Sequence, residues 1–204
     1  MERLIAGYRR FRAEGWPRRR ELFEQLAEKG QHPRALVIAC ADSRVDPAMI
    51  FDADPGELFV IRNVANLVPP YAPDGAYHGT SAAVEFAVRV LEVRDVIVLG
   101  HAMCGGVRAL LTGEVGAATD FVAPWMAIAA PARARAVRDG AEAEAAQDAG
   151  EHEVVKVSLE NLRTYPWLAE RVAAGRLALH GARFDIRDGR LEMLGADGAF
   201  RAVA

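Results

Sequence analysis

Cysteine is scarce in this sequence, with Cys40 and Cys104 the only two among 204 residues. Two cysteines cannot form the disulfide framework of a small secreted domain, so the composition favours a reducing compartment. Long hydrophobic runs are also missing, and none approaches the ~20 residues that a membrane-spanning helix needs. Residues 1–23 lack the apolar core of a secretory signal. We therefore expect a cytoplasmic protein without a membrane partner.

An excess of positive charge is absent as well. The formal net charge is −3 at pH 7, which argues against nucleic acid as a partner. Apolar residues make up 51% of the chain and charged residues 26%, a balance that is typical of globular proteins. The length suits one domain.

Strand and helix patterns alternate along the chain. Continuous apolar runs predict buried parallel strands at residues 35–39, 58–61, 96–99 and 177–179. Helical spacing predicts helices at residues 79–93, 105–111, 122–138 and 151–173, the last broken at Tyr165-Pro166. We expect a single α/β domain: a central, mostly parallel sheet of four parallel strands plus an antiparallel edge, flanked by helices.

Three further segments complete this organisation. Residues 184–194 predict a hairpin with Asp188-Gly189 at its turn, which supplies the antiparallel edge. Residues 141–150 lack periodicity and predict a surface linker or a frayed helix end. Residues 1–30 predict an N-terminal helical arm of two helices with a break at residues 15–17, ahead of a domain at 31–204. The arm packs either on a partner subunit or on its own core.

Polar residues follow two of the predicted strands. Cys40, Asp42 and Arg44 come after the first strand, and His101 and Cys104 come after the third. If these strands are neighbours where the strand order reverses, their carboxyl ends open into one crevice. His101 and Cys104 are three residues apart at a predicted helix start, where such a spacing shares a face. Two thiolates and one imidazole suit zinc.

Each of these residues also has a structural interpretation. Taken singly, Cys40 is more often a buried apolar side chain, and His101 a hydrogen-bonded core histidine. Both cysteines at matched strand ends favour a metal site, and three protein ligands plus one open position are typical of catalytic zinc. Asp42 can either ligate the metal as a fourth ligand or pair with Arg44 and leave that position to water.

Three blocks of the sequence resemble the signature blocks of β-class carbonic anhydrases, in the same order. They are residues 40–45 (CADSRV), 62–68 (RNVANLV) and 100–106 (GHAMCGG). Shorter similarities lie at residues 68–71, 161–166 and 180–181, so the resemblance covers roughly residues 30–195. Gly30-Gln31 and Pro69-Pro70-Tyr71 are most similar to the plant-type branch of the family.

The resemblance implies zinc-dependent, reversible hydration of CO2 to bicarbonate and a proton, by attack of a zinc hydroxide on CO2. It implies one zinc ion per chain, bound by Cys40, His101 and Cys104. Asp42 and Arg44 would form the pair that orients the hydroxide, with Asp42 a fourth ligand in a closed, inactive form. A zinc enzyme acting on another heterocumulene, such as carbon disulfide, and a structural zinc protein remain as alternatives.

The resemblance also implies a substrate pocket and a partner. Gln31 would hydrogen-bond bicarbonate, and the backbone N–H of Gly105 would face the substrate. Phe59, Val64 and Phe86 would form an apolar wall, although Phe86 stands where the plant-type pattern has tyrosine. In this family the glutamine and some wall residues come from the partner subunit, which the N-terminal arm wraps. A homodimer is then the minimum active unit, with higher homo-oligomers possible.

Some bacterial members of the family bind bicarbonate at a second, inhibitory pocket that uses a tryptophan, an arginine and a tyrosine. The corresponding residues here are Val37, Arg62 and Phe184. Valine and phenylalanine lack the two aromatic hydrogen-bond donors, so a desolvated anion would have few partners besides Arg62. The resemblance therefore implies that this chain lacks the bicarbonate switch.

Overall fold

Six strands form one sheet in the order β2-β1-β3-β4-β5-β6 in a computed structural model that describes residues 1–137 and 142–203. The strands are β1 (Ala35–Cys40), β2 (Leu58–Asn63), β3 (Asp95–His101), β4 (Ala178–Phe184), β5 (Leu191–Leu194) and β6 (Phe200–Ala202). The first four are parallel to one another, and β5 and β6 are antiparallel. The predicted fold class is confirmed, and β6 is a strand that the pattern did not predict.

The strand order reverses between β1 and β3. Strand β2 pairs with one edge of β1, where Ala35 lies opposite Leu58. Strand β3 pairs with the other edge of β1, where Ala35 lies opposite Asp95. Every residue of β1 is buried, as its uninterrupted apolar run predicts. The carboxyl ends of β1 and β3 therefore lie side by side at the point where α/β proteins bind ligands.

The described ranges contain nine α-helices. They are α1 (Glu2–Arg10), α2 (Trp16–Lys29), α3 (Pro47–Ile50), α4 (Gly79–Glu85), α5 (Gly105–Thr112), α6 (Val122–Met126), α7 (Ala130–Ala136), α8 (Ala143–Leu162) and α9 (Pro166–Ala173). The longest, α8, contributes eight buried residues, and its apolar side chains enter two separate core clusters. Within residues 1–137 and 142–203, no helix is both long and apolar enough to cross a bilayer.

Helix α8 corrects one prediction from the sequence. Residues 143–150 are its first two turns and not a surface linker or frayed end, while residue 141 lies outside the described residues. Gly150 is buried and packs against α5. A Cβ at this position would lie only 3.0 Å from Val107 Cγ1. The absence of a side chain lets the two helices approach closely. The helix predicted at 122–138 consists of α6, a 3₁₀ turn and α7, and residue 138 is not described.

The N-terminal arm is one continuous helical segment, and the predicted break at residues 15–17 is wrong. A π-helical turn, Phe11–Gly15, joins α1 to α2, and the Trp16 N–H donates to the Phe11 carbonyl. Pro17 follows directly after this turn and has no N–H to donate to the preceding turn, so the backbone hydrogen-bond ladder is interrupted there while the helical path continues. The Leu26 side chain lies over Gly56 of the main domain, whereas Leu4 and Tyr8 are exposed.

Candidate metal centre

Three potential metal ligands converge at the carboxyl ends of β1 and β3. Cys40 is the last residue of β1, His101 is the last residue of β3, and Cys104 is the N-cap of α5. Their ligand atoms all lie within 4.8 Å of one another, and all three side chains are buried. The predicted meeting of the two polar clusters is confirmed.

The donor atoms fit a zinc ion. The two sulfur atoms are 4.0 Å apart, and sulfurs ~2.3 Å from a tetrahedral zinc are about 3.8 Å apart. His101 Nδ1 donates to the Ala102 carbonyl oxygen (2.8 Å), so Nε2 carries the lone pair. Nε2 is buried and has no hydrogen-bond partner among the described residues. A buried, unpaired acceptor next to two thiols is the arrangement expected of a metal ligand.

A strained turn, and not a helical face, brings His101 and Cys104 together. His101 still belongs to β3, so the predicted sharing of a helix face by these two residues is wrong. Met103 between them has φ +58°, a left-handed conformation that is costly for a residue with a side chain. This turn reverses the chain within three residues and directs both ligands into the crevice.

The two thiols differ in their tendency to ionise without metal. The pKa of Cys40 is lowered, because the Cys104 thiol hydrogen-bonds to its thiolate and because His101 is adjacent. The pKa of Cys104 is raised, because it donates that hydrogen bond and is deeply buried. Metal binding must therefore displace the shared proton, so that both sulfurs become thiolates.

Asp42 lies beside the three ligands and is held by Arg44. The Arg44 side chain donates to both carboxylate oxygens, from Nε (2.9 Å) and Nη2 (2.7 Å), and its backbone N–H donates a third hydrogen bond (2.9 Å). These bonds hold the pKa of Asp42 well below its usual range. Asp42 Oδ2 is 3.9 Å from His101 Nε2. Of the two roles considered for Asp42, the structure has it paired with Arg44.

Arg62 fixes the loop that carries Asp42 and Arg44. Its guanidinium donates to the carbonyl oxygens of Cys40 (3.0 Å), Asp42 (2.6 Å) and Val45 (2.8 Å). A fourth contact joins Nη1 to the Asp46 carboxylate at 3.3 Å. The guanidinium is therefore engaged with the chain itself.

A cavity of about 720 Å³ opens beside this centre, and its lining includes Asp42, Arg44, Cys104 and Gly105. The other predicted substrate residues do not line it in the part of the chain that the structure describes. Val64 lines a separate cavity of about 640 Å³. Gln31 is exposed between α2 and β1, and the rings of Phe59 and Phe86 stack with centroids 5.9 Å apart.

Comparison with known proteins identifies the family. The family model described as carbonic anhydrase matches residues 35–191. A carbonic anhydrase of Pseudomonas aeruginosa is 44% identical over 202 residues, which are 98% of this chain and 90% of that protein. The solved structure of the β-carbonic anhydrase CcaA is similar with a TM-score of 0.93 and 38% identity, covering 100% of this chain and 92% of that one. This chain belongs to the β-carbonic anhydrase family.

A further solved structure, of tetrameric β-carbonic anhydrases from Sordaria macrospora, has a TM-score of 0.80 and 28% identity to this chain. It covers 100% of this chain and 98% of that one. Zinc is the cofactor of a β-carbonic anhydrase, and Cys40, His101 and Cys104 form the group that can hold it here. The chain is accordingly a carbonic anhydrase.

Sequence reasoning missed a second group of residues at this β-carbonic anhydrase site. Glu151 and Gln147 of α8 both hydrogen-bond to the backbone of Cys104, and Arg183 of β4 binds Glu151. The available signal was an acid at a buried position of α8 and an arginine between apolar residues of β4. Charged side chains at such positions are almost always paired, which marks them for attention.

Proposed function

We propose that this chain hydrates CO2 reversibly, releasing bicarbonate and a proton, at the centre formed by Cys40, His101 and Cys104. One observation carries the proposal: two buried thiols lie next to a histidine nitrogen that has no hydrogen-bond partner among the described residues, with a carboxylate held beside it. Zinc bound there would lower the pKa of a coordinated water to about 7 and supply a nucleophile near neutral pH.

We propose that Asp42 and Arg44 orient the attacking water. Because Arg44 keeps Asp42 ionised, the carboxylate can accept a hydrogen bond from that water over the whole neutral pH range. That hydrogen bond would fix the direction of the oxygen lone pair toward the carbon of CO2. Gly105 lies at the start of α5, and its backbone N–H can donate to the oxygen on which negative charge develops.

The rest of the substrate pocket is proposed to require a second copy of the chain. Gln31 would hydrogen-bond bicarbonate, and Phe59, Val64 and Phe86 would form the apolar wall for CO2. This assignment is supported by the partial exposure of Val64 and Phe86, which one chain leaves without a cover. An apolar wall suits CO2, because the substrate carries no charge to be clamped.

We propose that the helical arm completes this homo-oligomer, with a dimer as the smallest active form. The apolar residues Leu4, Tyr8 and Phe11 of the arm are exposed in the single chain, and covering them with a partner would remove apolar surface from water. We expect a solution mass at least twice the 22.1 kDa of one chain. Leu4→Asp should weaken assembly, whereas Arg10→Gln, with the same change of one charge unit, should not. Full activity at monomer mass would contradict the proposal.

We further propose that the resting state near neutral pH is the open form, in which Asp42 is paired with Arg44 and does not ligate the zinc. We also propose that bicarbonate does not convert this form to the closed one. Arg62 is already bound to three carbonyl oxygens, and the side chains of Val37 and Phe184 carry no hydrogen-bond donor for an anion. The test is a crystal structure of the zinc form at about pH 8, above the bound-water pKa of about 7. A structure in which Asp42 ligates the zinc, or in which bicarbonate is bound beside Arg62, would refute this proposal.

The cytoplasm is the proposed compartment. The zinc centre needs Cys40 and Cys104 as separate thiolates, and a disulfide between them would remove two of its three ligands. Fractionation of cells that express the protein at its natural level should recover it with cytoplasmic markers.

Stopped-flow measurement of CO2 hydration tests the function. We expect activity in the zinc-loaded protein, its loss on chelation and its recovery when zinc is added. Asp42→Asn should retain zinc yet lower kcat/KM by about 10- to 100-fold, the usual effect of losing an outer partner of a metal site. Asp52→Asn is the matched control, because Asp52 is exposed and asparagine tolerates its φ of +47°. Carbon disulfide hydrolysis without CO2 hydration would overturn the proposal.

A further inference from the structure

A buried carboxylate lies directly behind the ligand Cys104. Glu151 of α8 is only 1% exposed, and its Oε1 accepts a hydrogen bond from the Cys104 backbone N–H at 3.1 Å. The same oxygen accepts a bond from Gln147 Nε2 at 2.7 Å. Among the described residues, no hydrogen bond joins Glu151 to either cysteine sulfur, so its hydrogen bond to Cys104 is to the main chain.

Gln147 holds the other side of Cys104. Its Nε2 atom also donates to the Cys104 carbonyl oxygen at 3.1 Å. The N–H and the C=O of Cys104 belong to successive peptide groups, so α8 fixes both peptides that flank the ligand. Gln147 and Glu151 are four residues apart and therefore share one face of α8.

Arg183 of β4 fixes Glu151 in turn. Its Nε and Nη2 atoms donate to Glu151 Oε2 at 2.9 and 2.7 Å, and the arginine is itself 2% exposed. The same guanidinium contacts Asp148 at 2.6 Å and Glu192 at 3.2 Å. Because a buried carboxylate without its cation is strongly unfavourable, Glu151 is confined to one orientation.

We propose that Glu151, held by Arg183 and assisted by Gln147, is a positioning residue for the zinc ligand Cys104. Cys104 follows the left-handed Met103, and a strained conformation of this kind persists only where the surrounding structure holds it. The hydrogen bonds from α8 hold the residue that follows this turn. Outer contacts of this kind orient metal ligands and set how tightly they hold the ion.

This inference rests on the zinc site of the proposed function, and its test separates the two. The probes are the rate at which zinc passes to a coloured chelator and the absorption spectrum of the cobalt(II)-substituted protein. A wild type that binds no zinc would refute the site itself. A wild type that binds zinc, with variants that release it at the wild-type rate, would refute only the positioning role.

Glu151→Gln is the first variant. Its amide presents one oxygen and one NH2 group, so it meets either Arg183 or the Cys104 N–H with a donor against a donor. We expect zinc release to accelerate by about 10- to 100-fold and the cobalt bands to shift. Glu153→Gln is the control: this carboxylate is on the same helix and 16% exposed, but it binds Lys156 and not Cys104. Its zinc release should stay within about twofold of wild type.

Gln147→Ala keeps the inference testable if Glu151→Gln does not fold. Gln147 is only half-buried and uncharged, so its removal leaves no unpaired charge in the core. We expect about tenfold faster zinc release and a shifted cobalt spectrum. Release rates and spectra equal to those of Glu153→Gln would overturn the proposal.

Discussion

Arg62 is predicted to contribute more to stability than a partly exposed arginine usually does, because it holds the loop of the metal centre. Arg62→Met keeps the aliphatic stem and removes every donor. The carbonyl oxygens of Cys40, Asp42 and Val45 then lose their guanidinium partner. The ion pair with Asp46 is largely exposed and adds little.

The size of the effect follows from these three hydrogen bonds. A buried hydrogen bond from a charged donor contributes more than about 1 kcal/mol. The Arg62 side chain is 30% exposed, so in the variant water can hydrogen-bond to some of the carbonyl oxygens and reduce the loss. We therefore expect a loss of about 3 kcal/mol in the free energy of unfolding, at about 1 kcal/mol per bond. For a protein of this size the melting temperature should fall by about 6–12 °C.

Thermal and urea unfolding of zinc-loaded protein at one fixed concentration measures this loss. Arg34→Met is the matched control, because the Arg34 side chain is 84% exposed and its ion pair with Asp95 is long, at 3.6 Å. We expect the control to change stability by less than about 0.5 kcal/mol. An Arg62→Met loss no larger than that of the control would refute the idea that Arg62 holds the loop.

Three further outcomes are expected. Gly100→Ala would put a Cβ 2.8 Å from Val155 Cγ2, so it should lower the free energy of unfolding by about 1–3 kcal/mol. Adding Val155→Ala should restore part of this loss, and a double variant without any recovery would contradict the contact. Arg187 lowers the pKa of Asp185, so ionised Asp185 stabilises the fold above about pH 4 and loses this effect as pH falls. Asp185→Asn should therefore cost about 1–2 kcal/mol at pH 7, with a difference from wild type that shrinks in acid unfolding curves. Cys104→Ser should lose most zinc by atomic absorption, and full occupancy would argue against Cys104 as a ligand.

The sheet and the centre of the site could be predicted because both depend on local patterns. A buried parallel strand is apolar along its whole length, so β1 is visible as a run of letters. Once β1 and β3 are neighbours, the polar residues that follow them must meet. The side-chain chemistry of Cys40, His101 and Cys104 then indicates zinc without further geometry.

The remaining features depend on contacts between distant residues. The continuous arm needs a π turn before Pro17, and no local propensity specifies one. The first turns of α8 consist mainly of alanine and acidic residues, and the contacts made there are to distant parts of the chain: Gly150 packs against α5, and Asp148 binds Arg183 of β4. The Glu151–Arg183 pair joins residues 32 positions apart. A sequence pattern shows that each is charged, but not that they meet behind Cys104.

X-ray absorption at the zinc edge of the loaded wild-type protein tests the central claim most directly. The account predicts two sulfur atoms about 2.3 Å from the metal, from Cys40 and Cys104, and lighter ligands at about 2.0–2.1 Å that include His101 nitrogen. A spectrum fitted by nitrogen and oxygen alone, or by a single sulfur, would contradict it.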